Sequence, residues 1–311
     1  MSATILTLSF RGDLEPCRLL CRSVDELVDP GFEHILAVPR SDLTLFAPLA
    51  RPGRRLVAQE ELLPPWLRKL PLPPPDWRAR LGLTRRNVYV SPRTGLVRGW
   101  IAQQLMKIAG AAAVDTEVVL HADSDVAFVR PLDRARLGGP GRTPLVRVAG
   151  ADDDAMHRPW HRTASELLGL APADYHGADY IDTVIVWRAD VARALLARIA
   201  EVSGGDALAA LARCRDLSEY ILYGVFCDEV LGIEASGHVV APARLCATVW
   251  SEAEWTDRSR PPVPPVEPHH LCACIQSTVP ASPEQRAEAF SLARARAAAQ
   301  DEEAGPRAAS A

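Results

Sequence analysis

The 311-residue chain carries 35 basic and 39 acidic side chains, for a formal net charge of −4. That balance excludes the global basic field of a nucleic-acid-binding protein. The length suffices for a substantial buried core, while no apolar run approaches the roughly 18–20 residues that cross a bilayer.

Thr4–Ser9 reads as a first strand rather than as a leader, since it lacks a basic flank and a cleavage site. Leu14–Leu27 follows as a helix with Leu14, Leu19, Leu20, Val24 and Leu27 along one stripe. Glu33–Pro39 supplies a second strand, Ser41 an N-cap for a short helix, and Arg54–Ala58 a third strand. Strands alternating with helices imply a parallel sheet. Six prolines between Pro64 and Pro75 bar regular helix or central strand from an excursion at about 62–98, where Trp66 and Trp77 pin a surface loop.

Arg98–Ala109 is expected to be helical, with Trp100, Ile101, Leu105 and Ile108 on its apolar face. Val118–Leu120 forms a short buried strand that runs into His121-Ala122-Asp123-Ser124-Asp125. Leu145–Val148 and Tyr180–Trp187 are strand candidates, Ala189–Val202 is a helix, and Ser218 caps a helix that extends to Leu231. Val239–Ala241 is a late strand. After a proline-rich linker at Arg260–Pro268 come an extended Cys272–Ser277 and a helix over Ser282–Ala299, with Pro283 in its first turn. Residues 300–311 are charged, alanine-rich and expected to be disordered. Seven cysteines, an odd and scattered set, argue against a disulfide framework and for a reducing cytoplasm, with peripheral membrane association still compatible.

The chemistry concentrates at Asp123 and Asp125. An apolar strand delivers two carboxylates, one residue apart, to its C-terminal end, which in an open α/β sheet faces the ligand crevice. Together they would repel each other and any phosphate. A divalent cation that bridges carboxylate and diphosphate oxygens removes both problems.

Aspartate pairs of this kind mark the GT-A glycosyltransferases, and the wider pattern resembles the DUF6492 family of bacterial glycosyltransferase-like proteins. The resemblance runs through Ser9-Phe10-Arg11-Gly12-Asp13, Val38-Pro39 with Asp42, Gly99 to Ile108, the aspartate pair, Thr183 to Trp187, Ser218 to Gly224 and Ile275-Gln276-Ser277. It implies a GT-A-like, Rossmann-like α/β domain over 1–278, mainly parallel with helices on both faces; the C-terminal helix at 279–299 lies outside the resemblance. It also implies a hexosyltransferase-like enzyme. A UDP- or GDP-sugar would be the donor, Mn2+ or Mg2+ the metal, and a glycan, lipid or small molecule the acceptor.

By the same resemblance, Ser9, Phe10 and Arg11 would hold base and ribose, with Asp123 at the sugar or the metal. Asp125 would ligate the metal directly, with His270 or His269 as a later ligand. Gln104 and Lys107 share one helical face, and Lys107 would neutralise the diphosphate. Glu219 is the candidate to contact the acceptor hydroxyl: as base in an inverting enzyme, as positioning group in a retaining one. Asp182 is a second catalytic candidate, or a local cap.

Other features invite blander readings. Asp152-Asp153-Asp154 reads as a solvated acidic loop, and His157, His161 and His176 lack a metal-site spacing. Trp100 and Trp187 are expected in the core, whereas Trp160, Trp250 and Trp255 are candidates to stack on a sugar. Two other functions compete: a phosphatase of the haloacid dehalogenase type, which also spaces two aspartates by one residue, and a nucleotide-sugar-binding protein without catalysis.

Overall fold

The computed structural model of the protein describes residues 2–71, 77, 80, 87–138, 142–150 and 155–304. β1 (Ala3–Leu8), α1 (Leu14–Leu27) and β2 (Glu33–Val38) form where the apolar periodicity places them. Ser41 does not cap the next helix. A 3-10 turn at Arg40–Asp42 leads straight into α2 (Leu43–Phe46), and the Ser41 hydroxyl bonds to the Asp42 carboxylate. β3 (Arg54–Ala58) follows.

The proline-rich excursion holds more order than its composition suggests. β4 (Arg68–Lys69), β5 (Val88–Ser91) and β6 (Gly95–Arg98) make a small antiparallel sheet beside the site. Gly95, at φ 72°, opens β6 in the left-handed region that glycine tolerates. Prolines 73–75 lie outside the described residues, as does the acidic run at 152–154.

α3 (Gly99–Ala113), β7 (Val118–Ala122) and β8 (Val126–Phe128) come next. The strand expected at Leu145–Val148 resolves into β9 (Thr143–Leu145) and β10 (Val148–Ala149). α4 (Arg158–Leu168), absent from the sequence reading, precedes β11 (Ala178–Asp179) and β12 (Val184–Arg188). β12 starts later than Tyr180 because the Asp182 carboxylate accepts the Thr183 N–H and ties this corner to the chain at Leu245 and Cys246. α5 (Ala189–Ser203) and the unanticipated α6 (Ala207–Arg213) follow. α7 (Glu219–Val225) is capped by the Ser218 side chain and widens into a π turn at Phe226–Leu231. β13 (His238–Val240), the unanticipated β14 (Cys246–Val249), β15 (Cys272–Ile275) and α8 (Pro283–Ala304) complete the chain. α8 runs beyond Ala299, so residues 300–304 are helical rather than disordered, and Asp301 pairs with buried Arg130.

The main sheet has the order β12-β7-β1-β2-β3. β7, β1, β2 and β3 run parallel, and only β12 is antiparallel. Alternation sends side chains to two helical layers. Leu36 and Val38 of β2 pack with Cys17 and Cys21 of α1, whereas Ile35 and Ala37 join the large cluster that includes Leu6 and α3. Gly110 of α3 sits so near β1 that a Cβ there would lie 2.8 Å from a Leu6 methyl carbon. A second sheet, β14-β15-β8, and α8 enclose a separate cluster around Val249, Trp255 and Phe290. All seven cysteines are free thiols. Among the described residues no helix is long and apolar enough to cross a membrane.

Candidate functional site

The sheet order itself locates the site. From β1 the chain moves outward through β2 and β3, then returns to lay β7 on the opposite side of β1. The connections therefore diverge between β1 and β7, and their C-terminal ends leave a crevice at this switch point. The loop Ser9–Asp13 follows β1, and Asp123–Asp125 follow β7, so the two sequence blocks meet there. They line one cavity of about 620 Å³ together with Asp42, Gln59, Tyr89 and Ser277.

Four carboxylates line that cavity, Asp13, Asp42, Asp123 and Asp125. Asp125 is buried; its Oδ2 accepts the Ser277 N–H at 2.8 Å and its Oδ1 faces the Cys274 thiol at 3.6 Å. Burial, then the charges of Asp123 and Asp13, push its pKa up to about 7 against the Ser277 hydrogen bond. Asp13, which the motif reading passed over, accepts a hydrogen bond from Ser124 at 3.1 Å. Burial chiefly raises its pKa, with the Asp123 charge adding to the effect. This set of hard oxygen donors suits Mg2+ or Mn2+ in kind. Yet no group of three or more His, Cys, Asp or Glu among the described residues is gathered tightly enough to hold an ion unaided.

His270 does not join them. In the β8–β15 ladder Cys274 lies opposite Val126, and the Ile275 N–H reaches the Asp125 carbonyl. His270 lies before β15 begins, in a turn closed by its N–H on the Glu267 carbonyl. Its Nδ1 accepts the Glu267 N–H at 2.9 Å, and with His269 it lines a different cavity. The structure thus places the expected histidine ligand in the wall of another cavity than Asp123 and Asp125.

The β1 loop is held from below. The Arg11 guanidinium donates to Asp42 Oδ1 from Nε at 2.9 Å and from Nη2 at 2.7 Å, while its backbone N–H reaches Oδ2 at 2.8 Å. Arg11 thus orients the loop through Asp42. Phe10 is 47% exposed over the cavity, and its ring covers Gly12, where a Cβ would fall 2.4 Å from a ring carbon. Ser9 is buried beneath, its carbonyl accepting from Gln59.

Lys107 and Gln104 take roles other than those expected. Lys107 is buried, and its ammonium reaches Asp123 at 3.0 Å, Glu219 at 3.0 Å and the Tyr220 hydroxyl at 2.7 Å. Three donors meet three partners, leaving none for a diphosphate. Burial opposes its charge, but Asp123, Tyr220 and Glu219 outweigh that and hold its pKa well above the usual lysine range. Gln104 accepts the Glu219 N–H at 3.1 Å and so fixes the start of α7 instead of lining the first cavity. Burial raises the Glu219 pKa, and the Lys107 charge offsets this only in part.

A second cavity, of about 710 Å³, opens on the other side of Asp123. Glu219, Tyr220, Asp182 and the tryptophans at 100, 160 and 250 line it, and it shares Trp100, Gln103, Asp123 and Gln276 with the first cavity. Trp100 is not a core residue: it is 49% exposed, stacks on Trp160 at 6.3 Å and donates to the Leu217 carbonyl at 3.0 Å. Trp187 is buried as expected, whereas Trp255 is buried in the second core under Arg258 and reaches neither cavity. Asp182 lines the second cavity, but its oxygens accept the backbone N–H groups of Thr183, Leu245 and Cys246 at 2.7, 2.7 and 3.2 Å. Burial still pushes its pKa up to about 7. Its position is that of a brace joining two segments of the cavity wall. His157, held by Asp179 at 2.9 Å, also borders this space.

His121 lies under the site with both ring nitrogens buried and, among the described residues, without hydrogen-bond partners, its ring edge-on to Trp187 at 4.5 Å. Burial, then the Lys107 charge, holds its pKa well below the usual value. A folded-state pKa below the unfolded one means that stability is present above about pH 6.5 and lost as pH falls toward the folded value. His121→Leu removes one such proton. Relative to wild type, its urea-derived stability is expected to gain up to about 2 kcal/mol between pH 7 and pH 5. An unchanged difference across that range would show that His121 accepts its proton without penalty.

No curated protein matches the chain. One family model does, over residues 2–291, most of the chain and both cavities. The chain belongs to DUF6492, described as a family of unknown function.

Proposed function

We propose that this protein is a metal-dependent glycosyltransferase of GT-A type, moving a sugar from a UDP- or GDP-sugar to a separate acceptor. The observation that carries the reading is the meeting of two cavities at Asp123, each wide enough for a small-molecule group. A two-substrate transfer needs such a junction, whereas a phosphate-ester hydrolase needs one pocket and water. In this reading the first cavity takes the nucleotide, with Phe10 as a platform for the base. Mn2+ or Mg2+ would be held by Asp125 with Asp13 and Asp123, the diphosphate completing its shell, and would neutralise charge on the departing nucleoside diphosphate. The protein's own part is to orient. Lys107 fixes Asp123 and Glu219 relative to each other, and Glu219 receives the acceptor hydroxyl.

Thermal-shift titration with UDP and GDP, each with and without manganese, tests the donor half. A ligand that binds only the native state raises the melting temperature, by about 2.7 kcal/mol in stability at a hundredfold excess over Kd. A manganese-dependent shift with one nucleotide, abolished in folded Asp125→Ala, is the expected outcome. No shift with either nucleotide would remove the transferase reading.

A further inference from the structure

Beyond donor and acceptor cavities lies a third, of about 540 Å³, which no step of the transfer uses. It adjoins the second cavity, with which it shares Arg244 and Trp250. Arg147, Arg244, His269 and His270 contribute to its wall, and among the described residues no Asp or Glu does. The second cavity has the opposite character, with Asp123, Asp179, Asp182 and Glu219 along it.

The two arginines differ. Arg147 is ion-paired with Asp228 at 2.6 Å, and the Tyr180 hydroxyl donates to the same carboxylate at 2.7 Å, so its charge is matched within the protein. Arg244 donates from Nε to the Ile181 carbonyl at 3.3 Å. Asp182 feels its charge, but the Asp182 oxygens are occupied by the backbone N–H groups on either side of the corner. Those same bonds fix the chain at Leu245 and Cys246, immediately after Arg244, so this guanidinium projects from a braced segment. Trp250, 40% exposed, stands at the same boundary.

We propose that the third cavity is an anion subsite that receives a phosphate or carboxylate group carried by the acceptor, with Arg244 as its principal ligand. The planar guanidinium fork matches either group bidentately. An anion on the acceptor is repelled by the carboxylates of the second cavity and drawn past Arg244 into a space lined by cations and imidazoles. A ring between the two cavities meets Trp250, an aromatic face suited to stacking. The acceptor is thus a neutral ring over the tryptophans with an acidic group at its far end. This assignment rests on reading the second cavity as the acceptor site.

Calorimetric titration at constant ionic strength, with inorganic phosphate and separately with glucuronate, tests it. The wild-type protein should bind at least one of the two, which tells phosphate from carboxylate. The association constant should fall at least about tenfold in Arg244→Gln and recover in part in Arg244→Lys. Binding of neither anion in the millimolar range, or equal affinity in folded Arg244→Gln, overturns the subsite. The nucleotide–manganese shift is read on the same samples. Its absence beside intact Arg244-dependent anion binding would sink the transferase reading and leave the subsite; the reverse pattern would sink the subsite alone.

Discussion

Lys107→Met is expected to destabilise the protein by about 3–5 kcal/mol, the cost of removing one partner from a buried ion pair. The ammonium holds two carboxylates, at 3.0 Å each, and Glu219 is 2% exposed. Methionine restores the volume and the packing on Tyr220, so the loss measures charge and not cavity. Without Lys107, Glu219 keeps its charge only by facing Asp123, and burial favours its protonated form. The deficit in urea unfolding should therefore shrink as pH falls. Adding Glu219→Gln removes one of the stranded charges, and the double variant should recover part of the loss, a coupling that independent sites would not show. A loss below about 1 kcal/mol would mean that the cluster is solvated in solution and that Lys107 does not bind it together.

How far the sequence revealed this arrangement depends on the kind of signal. β1 and β2 were legible as short, mostly apolar runs buried on both faces, α1 as a helix with one apolar stripe, and β3 as the short strand that continues their alternation. α3 was legible too, but not the direction of Trp100, which lies at the helix start where the apolar stripe ends and the cavity begins. α4 was missed: its segment Arg158–Leu168 opens with proline, tryptophan, histidine and arginine, and its buried positions include His161 and Ser165. Polar residues on an inner face erase the pattern that periodicity needs. The short strands β8 and β14 are too brief for any period to register, and pairing with β15 makes them.

Of the residues that line the two cavities, Asp123 and Asp125 could be picked out because motif and strand end coincide, Phe10 and Glu219 through the family resemblance. Asp13 could have been, since it ends the same block as Ser9, Phe10 and Arg11. The role of Lys107 could not. Helical spacing put it on one face with Gln104, but only the fold shows that α7 lies across that face, so that Gln104 receives the Glu219 N–H and Lys107 its carboxylate. The place of His270 was hidden for the complementary reason. Proximity in sequence to β15 says nothing of where along the strand the aspartates sit, and the ladder register decides it.

Glu219→Gln is expected to lower the transfer rate by about 10²–10⁴-fold while leaving the manganese-dependent nucleotide shift unchanged, the range typical of losing a positioned general base. The substitution keeps the shape and a hydrogen-bonding oxygen toward Lys107, and the Gln104 bond to the backbone N–H does not depend on the side chain. The first cavity, to which the proposed function assigns the nucleotide, is not lined by Glu219. The pH dependence separates base from spacer. Burial raises the Glu219 pKa, so a base here becomes competent only as pH rises through a value above the ordinary carboxylate range. The wild-type rate should therefore climb with pH along a limb that Glu219→Gln lacks. If the variant keeps the limb and loses less than about tenfold in kcat, Glu219 only positions the acceptor and the proton leaves by another route, of which the departing phosphate is the nearest chemically. That outcome would identify a retaining rather than an inverting transfer, a distinction the aspartate pair cannot make because both reactions need the same metal.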